Sequence, residues 1–309
     1  MIYTVTLNPS LDAFVSVKDF QTGKTNRADE EYILAGGKGI NVSKVLKNLG
    51  LKSVALGFLA GFTGTEIQRL LEEDGLITDF VWLQEGSSRI NWKLISIEGT
   101  EINGQGPEIL EEEAEVFLQK LKYLQKEDIL FLSGSIPASL PSDYYEKIME
   151  HVKLNGVSVI LDTNGEGLMR GLSHKPFLIK PNHHELGELF RVEIVDKEDA
   201  IFYGQKLKQA GAENVLISMA GKGAVLLASD GQIFTAEAPQ GDVRNTVGAG
   251  DAMLAGFMAG FLETGDYEKA FRMAVATGSA SAFSKGFATK ETIHKLLPFI
   301  KSKRVNATL

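Results

Sequence analysis

The 309-residue chain is 44% hydrophobic, carries a formal net charge of -8 and contains no cysteine. That length allows one large α/β domain or two smaller ones, with a core that needs no disulfides. Thiolate nucleophiles, Cys-ligated zinc and iron–sulfur clusters are excluded, and an acidic chain without a long Lys/Arg run is a poor match for nucleic acid or anionic membrane. The start, Met1-Ile2-Tyr3-Thr4-Val5, has no basic stretch leading into a long apolar run. No uncharged apolar run reaches roughly 18 residues. The expectation is a cytoplasmic protein with neither signal peptide nor transmembrane helix, and the missing cysteines fit a reducing compartment.

In chain order, Ile2–Leu7 reads as a short buried strand. Leu11–Leu34 then shows polar–apolar alternation broken at Gly23, the pattern of an inserted hairpin. A helix is expected from Gly39, because Val42, Val45, Leu46 and Leu49 follow the i, i+3, i+4, i+7 spacing and Gly50 ends it. Val54–Leu59 reads as a strand and Glu66–Asp74 as a helix. A second insert, Phe80–Asn103, alternates around Gly86 and Gly99. Beyond it, helical patterns at Glu111–Leu124, Ser142–Leu154 and Lys197–Ala210 are interleaved with strands at Ile129–Leu132, Val157–Leu161, Phe177–Ile179 and Val215–Ser218. The last third reads as successive helices, Asp251–Leu262, Tyr267–Ser284 and Lys290–Ile300. This alternation predicts βαβ units and a mostly parallel sheet covered by helices. The two inserts are expected to form a small β-sheet lid at the strand ends, where open α/β sheets bind ligands.

Two glycine-rich segments stand before helices. In Gly36-Gly37-Lys38-Gly39-Ile40-Asn41, glycines allow close backbone approach, and Lys38 and Asn41 sit beside a helix N-terminus that attracts anions. The segment is neither a Walker loop nor a dinucleotide fingerprint. A glycine turn with a solvent lysine would look the same. In Thr246-Val247-Gly248-Ala249-Gly250-Asp251, the amides of Gly248, Ala249 and Gly250 can converge as an anion hole, with Asp251 in reach of an acceptor hydroxyl. An aspartate at this point also suits a helix cap. The small residues Ala252, Ala255, Gly256 and Ala259 predict close packing of that helix on a neighbour.

Polar groups follow two further strands. Lys180-Pro181-Asn182-His183-His184-Glu185 offers Asn182 and Glu185 for a Mg²⁺–water–phosphate network. His183 and His184 are adjacent and should point to different sides of a helix, so they read as surface or packing residues. Ser218-Met219-Ala220-Gly221-Lys222-Gly223 reads as a tight turn with room for a nucleotide, or as a plain hairpin into Ala224–Ala228.

Together these segments resemble the PfkB group of carbohydrate kinases, which have the ribokinase-like fold, over essentially the whole chain. The start Thr4–Asp12 is similar to the phosphosugar kinases of the group. Arg89–Leu94 and Glu101–Glu108 look most like the branch that acts on fructose 1-phosphate, with tagatose-6-phosphate kinases next. The resemblance implies a single three-layer domain over residues 1–309, with ATP and Mg²⁺ required. It implies transfer to the 6-hydroxyl of D-fructose 1-phosphate, with Asp251 as base and Gly248, Ala249 and Gly250 as the anion hole. Asp12, Gly37, Lys38 and Asn41 would bind the sugar phosphate, with Arg27, Lys38, Arg89 and Lys93 as cations around its phosphate. Ser218, Gly221 and Gly223 would line the nucleotide site, with Gly250, Lys180, Asn182 and Glu185 near the phosphates and Glu185 acting on Mg²⁺ through water. A homodimer paired through the lid is also implied. Asn245, where many members have Asp, and the turn Ser-Met-Ala-Gly, where Ser-Leu-Gly is usual, are departures. A sugar-phosphate sensor without chemistry is the reading from another class.

Overall fold

The structure is a computed structural model and describes residues 1–95 and 100–305. The turn expected at Gly99 lies outside the described residues. In chain order, β1 (Ile2–Thr6), β2 (Ser10–Ser16) and β3 (Glu30–Gly36) lead into α1 (Lys38–Asn48) and β4 (Ser53–Leu59). Then come α2 (Gly61–Glu73), β5 (Ile77–Thr78), β6 (Val81–Trp82), β7 (Arg89–Leu94), β8 (Thr100–Asn103), α3 (Glu111–Leu121) and β9 (Ile129–Ser133). They are followed by α4 (Tyr144–Lys153), β10 (Ser158–Asp162), α5 (Gly165–Gly171), β11 (Leu178–Ile179), α6 (His183–Phe190) and α7 (Lys197–Ala210). The chain continues through β12 (Asn214–Ser218), β13 (Ala224–Leu227), β14 (Ile233–Ala236), α8 (Ala249–Thr264), α9 (Tyr267–Ala282), α10 (Lys290–Leu296) and β15 (Ser302–Val305).

The large sheet has the order β15-β14-β13-β12-β11-β10-β9-β1-β4-β5, with β6 also on β4. It is parallel from β12 to β5, and antiparallel from β12 outward to β15. Strand alternation divides its core in two. Leu130 and Leu132 of β9 and Val159 and Leu161 of β10 face α3, α4 and α7, packing with Phe117, Ile148 and Leu207. Ile129, Phe131 and Ile160 face the opposite way, towards Val45 of α1, Phe257 of α8 and Phe271 of α9. Strands covered on both faces must be apolar at every position, which is why β9 reads Ile-Leu-Phe-Leu-Ser.

A separate sheet has the order β3-β2-β7-β8 and takes its strands from the two inserts. Its inner end packs through Leu11, Ala35 and Ile90 against Ile67 and Leu71 of α2.

Helix α8 lies very close to α9. A methyl group added at Gly256 would overlap Thr277 Oγ1, and one at Gly260 would lie 2.9 Å from the Ala270 Cα. This contact fixes the axis of α8, and therefore the place of its first turn. Gly256→Ala should lower the unfolding free energy by about 1–3 kcal/mol through overpacking. Gly286→Ala, whose added methyl would meet nothing within 4 Å, is the control. Urea titration of both variants checks this; equal stabilities would contradict it.

Candidate active site

The C-terminal ends of the parallel strands bring the polar residues of the chain together. Thr6 ends β1, Ser133 ends β9, Asp162 ends β10, and Lys180 follows β11. The N-termini of α1 and α8 point into the same region. Helix α1 is pinned there by missing side chains and one hydrogen bond. Gly37, its N-cap, has φ of 129°, and methyl groups at Gly37 or Gly39 would overlap Thr6 or the Val5 carbonyl. The Ile40 N–H donates to Thr6 Oγ1 at 3.0 Å. Lys38 is thereby held as the first residue of α1.

Gly248, with φ of 77°, is the N-cap of α8, and Asp251 lies in its first turn. Asp251 does not cap the helix: its Oδ2 accepts from Asn41 Nδ2 at 2.8 Å. The Ala249 N–H donates to the Thr246 carbonyl at 3.2 Å, so one of the three amides expected to be free is engaged. The N–H groups of the N-cap Gly248, and of Gly250 and Asp251 in the first turn, have no acceptor among the described residues. A methyl group at Gly250 would lie 2.8 Å from Lys180 Nζ, so this glycine leaves room for the ammonium.

Two carboxylates and two ammoniums meet here. Asp162 is 2% exposed, with Oδ2 3.3 Å from Lys38 Nζ and Oδ1 3.6 Å from Lys180 Nζ. Burial raises the Asp162 pKa, but Lys180 and Lys38 outweigh it and hold the carboxyl below its ordinary value. Burial alone would lower the Lys38 pKa; Asp162, Asp251 and Glu185 together raise it above the ordinary value. Asp251 is 5% exposed. Burial, and then the charge of Asp162, push its carboxyl up to about 6, against the lowering effects of Lys38, Asn41 and Lys180. A buried carboxyl poised there accepts a proton near neutral pH far better than one at the ordinary value.

Beside this cluster is a cavity of about 230 Å³ lined by Thr6, Asn8, Gly37, Lys38, Arg89, Ser133, Gly134, Ser135, Thr163 and Asn164. Arg89 is held by Nε donating to the Asn8 carbonyl at 3.0 Å, and burial lowers its pKa, with Asp12 opposing. Asp12 Oδ1 accepts from Ser10 Oγ at 2.7 Å and from Asn91 Nδ2 at 2.9 Å. The structure thus brings Gly37, Lys38, Asn41, Arg89 and Asp251 into one region. It does not bring Arg27 or Lys93 to the cavity. Arg27 lies exposed between β2 and β3, and Lys93 is ion-paired with Glu101 at 2.8 Å. Sequence reasoning missed Asp162, Asn8 and the Ser133–Ser135 and Thr163–Asn164 turns. Their one signal is position: each follows an apolar strand.

On the other side of Lys180, Asn182 and Glu185 cap α6 reciprocally. Asn182 Oδ1 accepts from the Glu185 N–H at 2.9 Å, and Glu185 Oε2 from the Asn182 N–H at 2.8 Å. The remaining carboxylate oxygen of Glu185 is not used in the cap. Ser218 bridges to Asn182 and pairs with Ala224, so Ser218–Gly223 is the turn of the β12–β13 hairpin. Gly223, with φ of 90°, is required there, because a methyl group would overlap the Ala236 carbonyl. Gly221 has open space beside it. The His183 and His184 rings do not diverge as expected; their centroids are 3.9 Å apart.

The pfkB family of carbohydrate kinases matches residues 5–293. The chain is 49% identical to a Bacillus subtilis 1-phosphofructokinase, covering 99% of this chain and 100% of that one. It is 41% identical to a D-tagatose-1-phosphate kinase of Bacillus licheniformis, over 93% and 94% of the two chains. Escherichia coli phosphofructokinase-2, crystallised with substrates and products, superposes with a TM-score of 0.88 at 25% identity, covering 96% of this chain and 98% of that one. With the mostly parallel sheet covered by helices on both faces, these matches establish that the chain belongs to the pfkB family of carbohydrate kinases and is a phosphotransferase.

Proposed function

We propose that the protein transfers the γ-phosphoryl group of ATP to the 6-hydroxyl of D-fructose 1-phosphate in the cytoplasm, forming fructose 1,6-bisphosphate and ADP. The observation that carries this reading is the buried Asp251 carboxyl, oriented by Asn41 and raised to about 6 beside two free amides. In the proposed reaction Asp251 takes the hydroxyl proton as the oxygen attacks. The Gly250 and Asp251 amides, with Lys180, stabilise negative charge on the transferring group. Lys38, Arg89 and the buried Ser133 hydroxyl, which has no hydrogen-bond partner among the described residues, hold the acceptor phosphate in the adjoining cavity. Asp12, fixed by Ser10 and Asn91, accepts from a sugar hydroxyl.

Mg²⁺ fits this site through Glu185, whose free oxygen can hold a metal-bound water near the ATP phosphates. Among the described residues no cluster of three or more His, Cys, Asp and Glu is placed to hold a metal. Mg²⁺ needs none, because phosphates and waters supply most of its ligands. The ion would supply neutralisation of phosphate charge. Ser218, Gly221 and Gly223 face the nucleotide in this reading.

We take residues 1–309 as a single kinase domain with the small sheet as its lid. The face of that sheet carrying Asp12, Arg89 and Asn91 turns to the site, and Asn8 Nδ2 donates to the Gln105 carbonyl at 2.8 Å, tying the segment after β8 across it. A closed lid excludes water as a competing acceptor. Its other face carries Ile33, Trp92 and Ile102, exposed by 53%, 46% and 60%. They share one face through the pairs Ala13↔Ile33, Ala13↔Trp92 and Trp92↔Ile102. A homodimer paired through this apolar face completes the reading.

The identity of 41% with a D-tagatose-1-phosphate kinase favours a second acceptor, the C4 epimer with phosphate at the same end. It takes precedence over tagatose 6-phosphate. ADP release should be fastest, by kcat/KM, with fructose 1-phosphate among fructose 1-phosphate, tagatose 1-phosphate, tagatose 6-phosphate and fructose 6-phosphate. A preference for tagatose 1-phosphate would change the acceptor and keep the mechanism; binding without turnover would indicate a sensor. Asp251→Asn should lower kcat by at least ~10²–10⁴-fold while acceptor binding by calorimetry persists; near-normal turnover would refute the base. Trp92→Glu should convert a dimer to a monomer in light scattering, and a monomeric wild type would refute the pairing.

A further inference from the structure

Asp162 is a buried carboxylate that the proposed mechanism does not use. It ends β10, and its backbone carbonyl accepts from the Gly134 N–H at 3.0 Å, which fixes the residue to the sheet. Its two oxygens serve two different elements: Oδ2 faces Lys38 of α1, and Oδ1 faces Lys180 after β11. These lysines come from different elements and border different groups. Lys38 lines the acceptor cavity, whereas Lys180 stands against Gly250 in the turn before Asp251. Tyr145, a further polar group close by, donates its hydroxyl to the Gly134 carbonyl and leaves the carboxylate to the lysines.

We propose that Asp162 is a positioning residue that sets the spacing between the Lys38 ammonium, which holds the acceptor phosphate, and the Lys180 ammonium, which faces the transferring phosphoryl group. The inference rests on the kinase reading above. Two cations held close together repel, and without a shared anion each would follow its own rotamer preferences. A carboxylate 2% exposed and anchored on a central strand gives both a fixed reference. The charges are also opposed in number: Asp162 and Asp251 face Lys38 and Lys180. Asp162 touches no reacting atom.

Asp162→Asn keeps the shape and removes the charge. With Mg²⁺-ATP and fructose 1-phosphate, its kcat should fall by roughly 10–100-fold, the scale of an ångström-level misplacement, with the KM for Mg²⁺-ATP changed by less than about threefold. Asp162→Glu keeps the charge on a longer arm and serves if the Asn variant fails to fold; its kcat should also fall. Wild-type kcat in either folded variant would overturn the proposal. A tenfold or greater rise in the Mg²⁺ concentration needed for half-maximal activity would also overturn it, by making Asp162 a metal ligand. Wild-type turnover tests the kinase reading separately. If that turnover is absent, crystal structures of the variants decide: displaced Lys38 and Lys180 ammoniums support the positioning role, and unmoved ones refute it.

Discussion

The site depends on one electrostatic constraint, two buried carboxylates set against the buried Lys180 and the part-exposed Lys38 at the end of a parallel sheet. Each charge would be costly if buried alone. Asp162 is satisfied by Lys38 and Lys180, and Asp251 by Asn41 and the nearby lysines. The satisfaction is unequal. Asp162 has two ion-pair partners and a lowered pKa, whereas Asp251 is left high by burial and by the like charge of Asp162. Two aspartates of the same chemical type are thereby set apart, one with its carboxyl held below and one above the ordinary range.

The fold exists, at this end, to bring these groups from distant parts of the chain to one place. Lys38 and Asn41 come from α1, Asp162 from β10, Lys180 from the segment after β11, and Asp251 from α8. Glycine is the means of approach at the decisive contacts. Gly39 lets α1 start against β1, Gly250 leaves space for the Lys180 ammonium, and Gly256 sets α8 on α9. Buried apolar strands hold the frame, so that the polar cluster does not have to stabilise it.

Much of this was legible in the chain. The strands β1, β4, β9, β10 and β12 are short apolar runs between helical patterns, and the long helices α8 and α9 follow their periodicity. Both glycine segments announced helix starts. What was not legible has a common cause: it depends on partners far away in sequence. The orientation of the Asp251 side chain is set by Asn41, 210 residues earlier, and without that contact a helix cap is the sounder reading of the sequence. Asp162 carries no motif, and only strand order places Lys38 and Lys180 on either side of it. Lys93 looked like a free cation until the β7–β8 register paired it with Glu101. Strand β15, Ser-Lys-Arg-Val, is polar and becomes a strand only because β14 offers an edge.

The central claim is that the Asp251 carboxyl is held near neutrality by its surroundings. Titration of this carboxyl by ¹³C NMR in the ligand-free protein, assigned by comparison with Asp251→Asn, tests it directly. The account predicts a midpoint of about 6. A midpoint near 4, the ordinary carboxylate range, would contradict it.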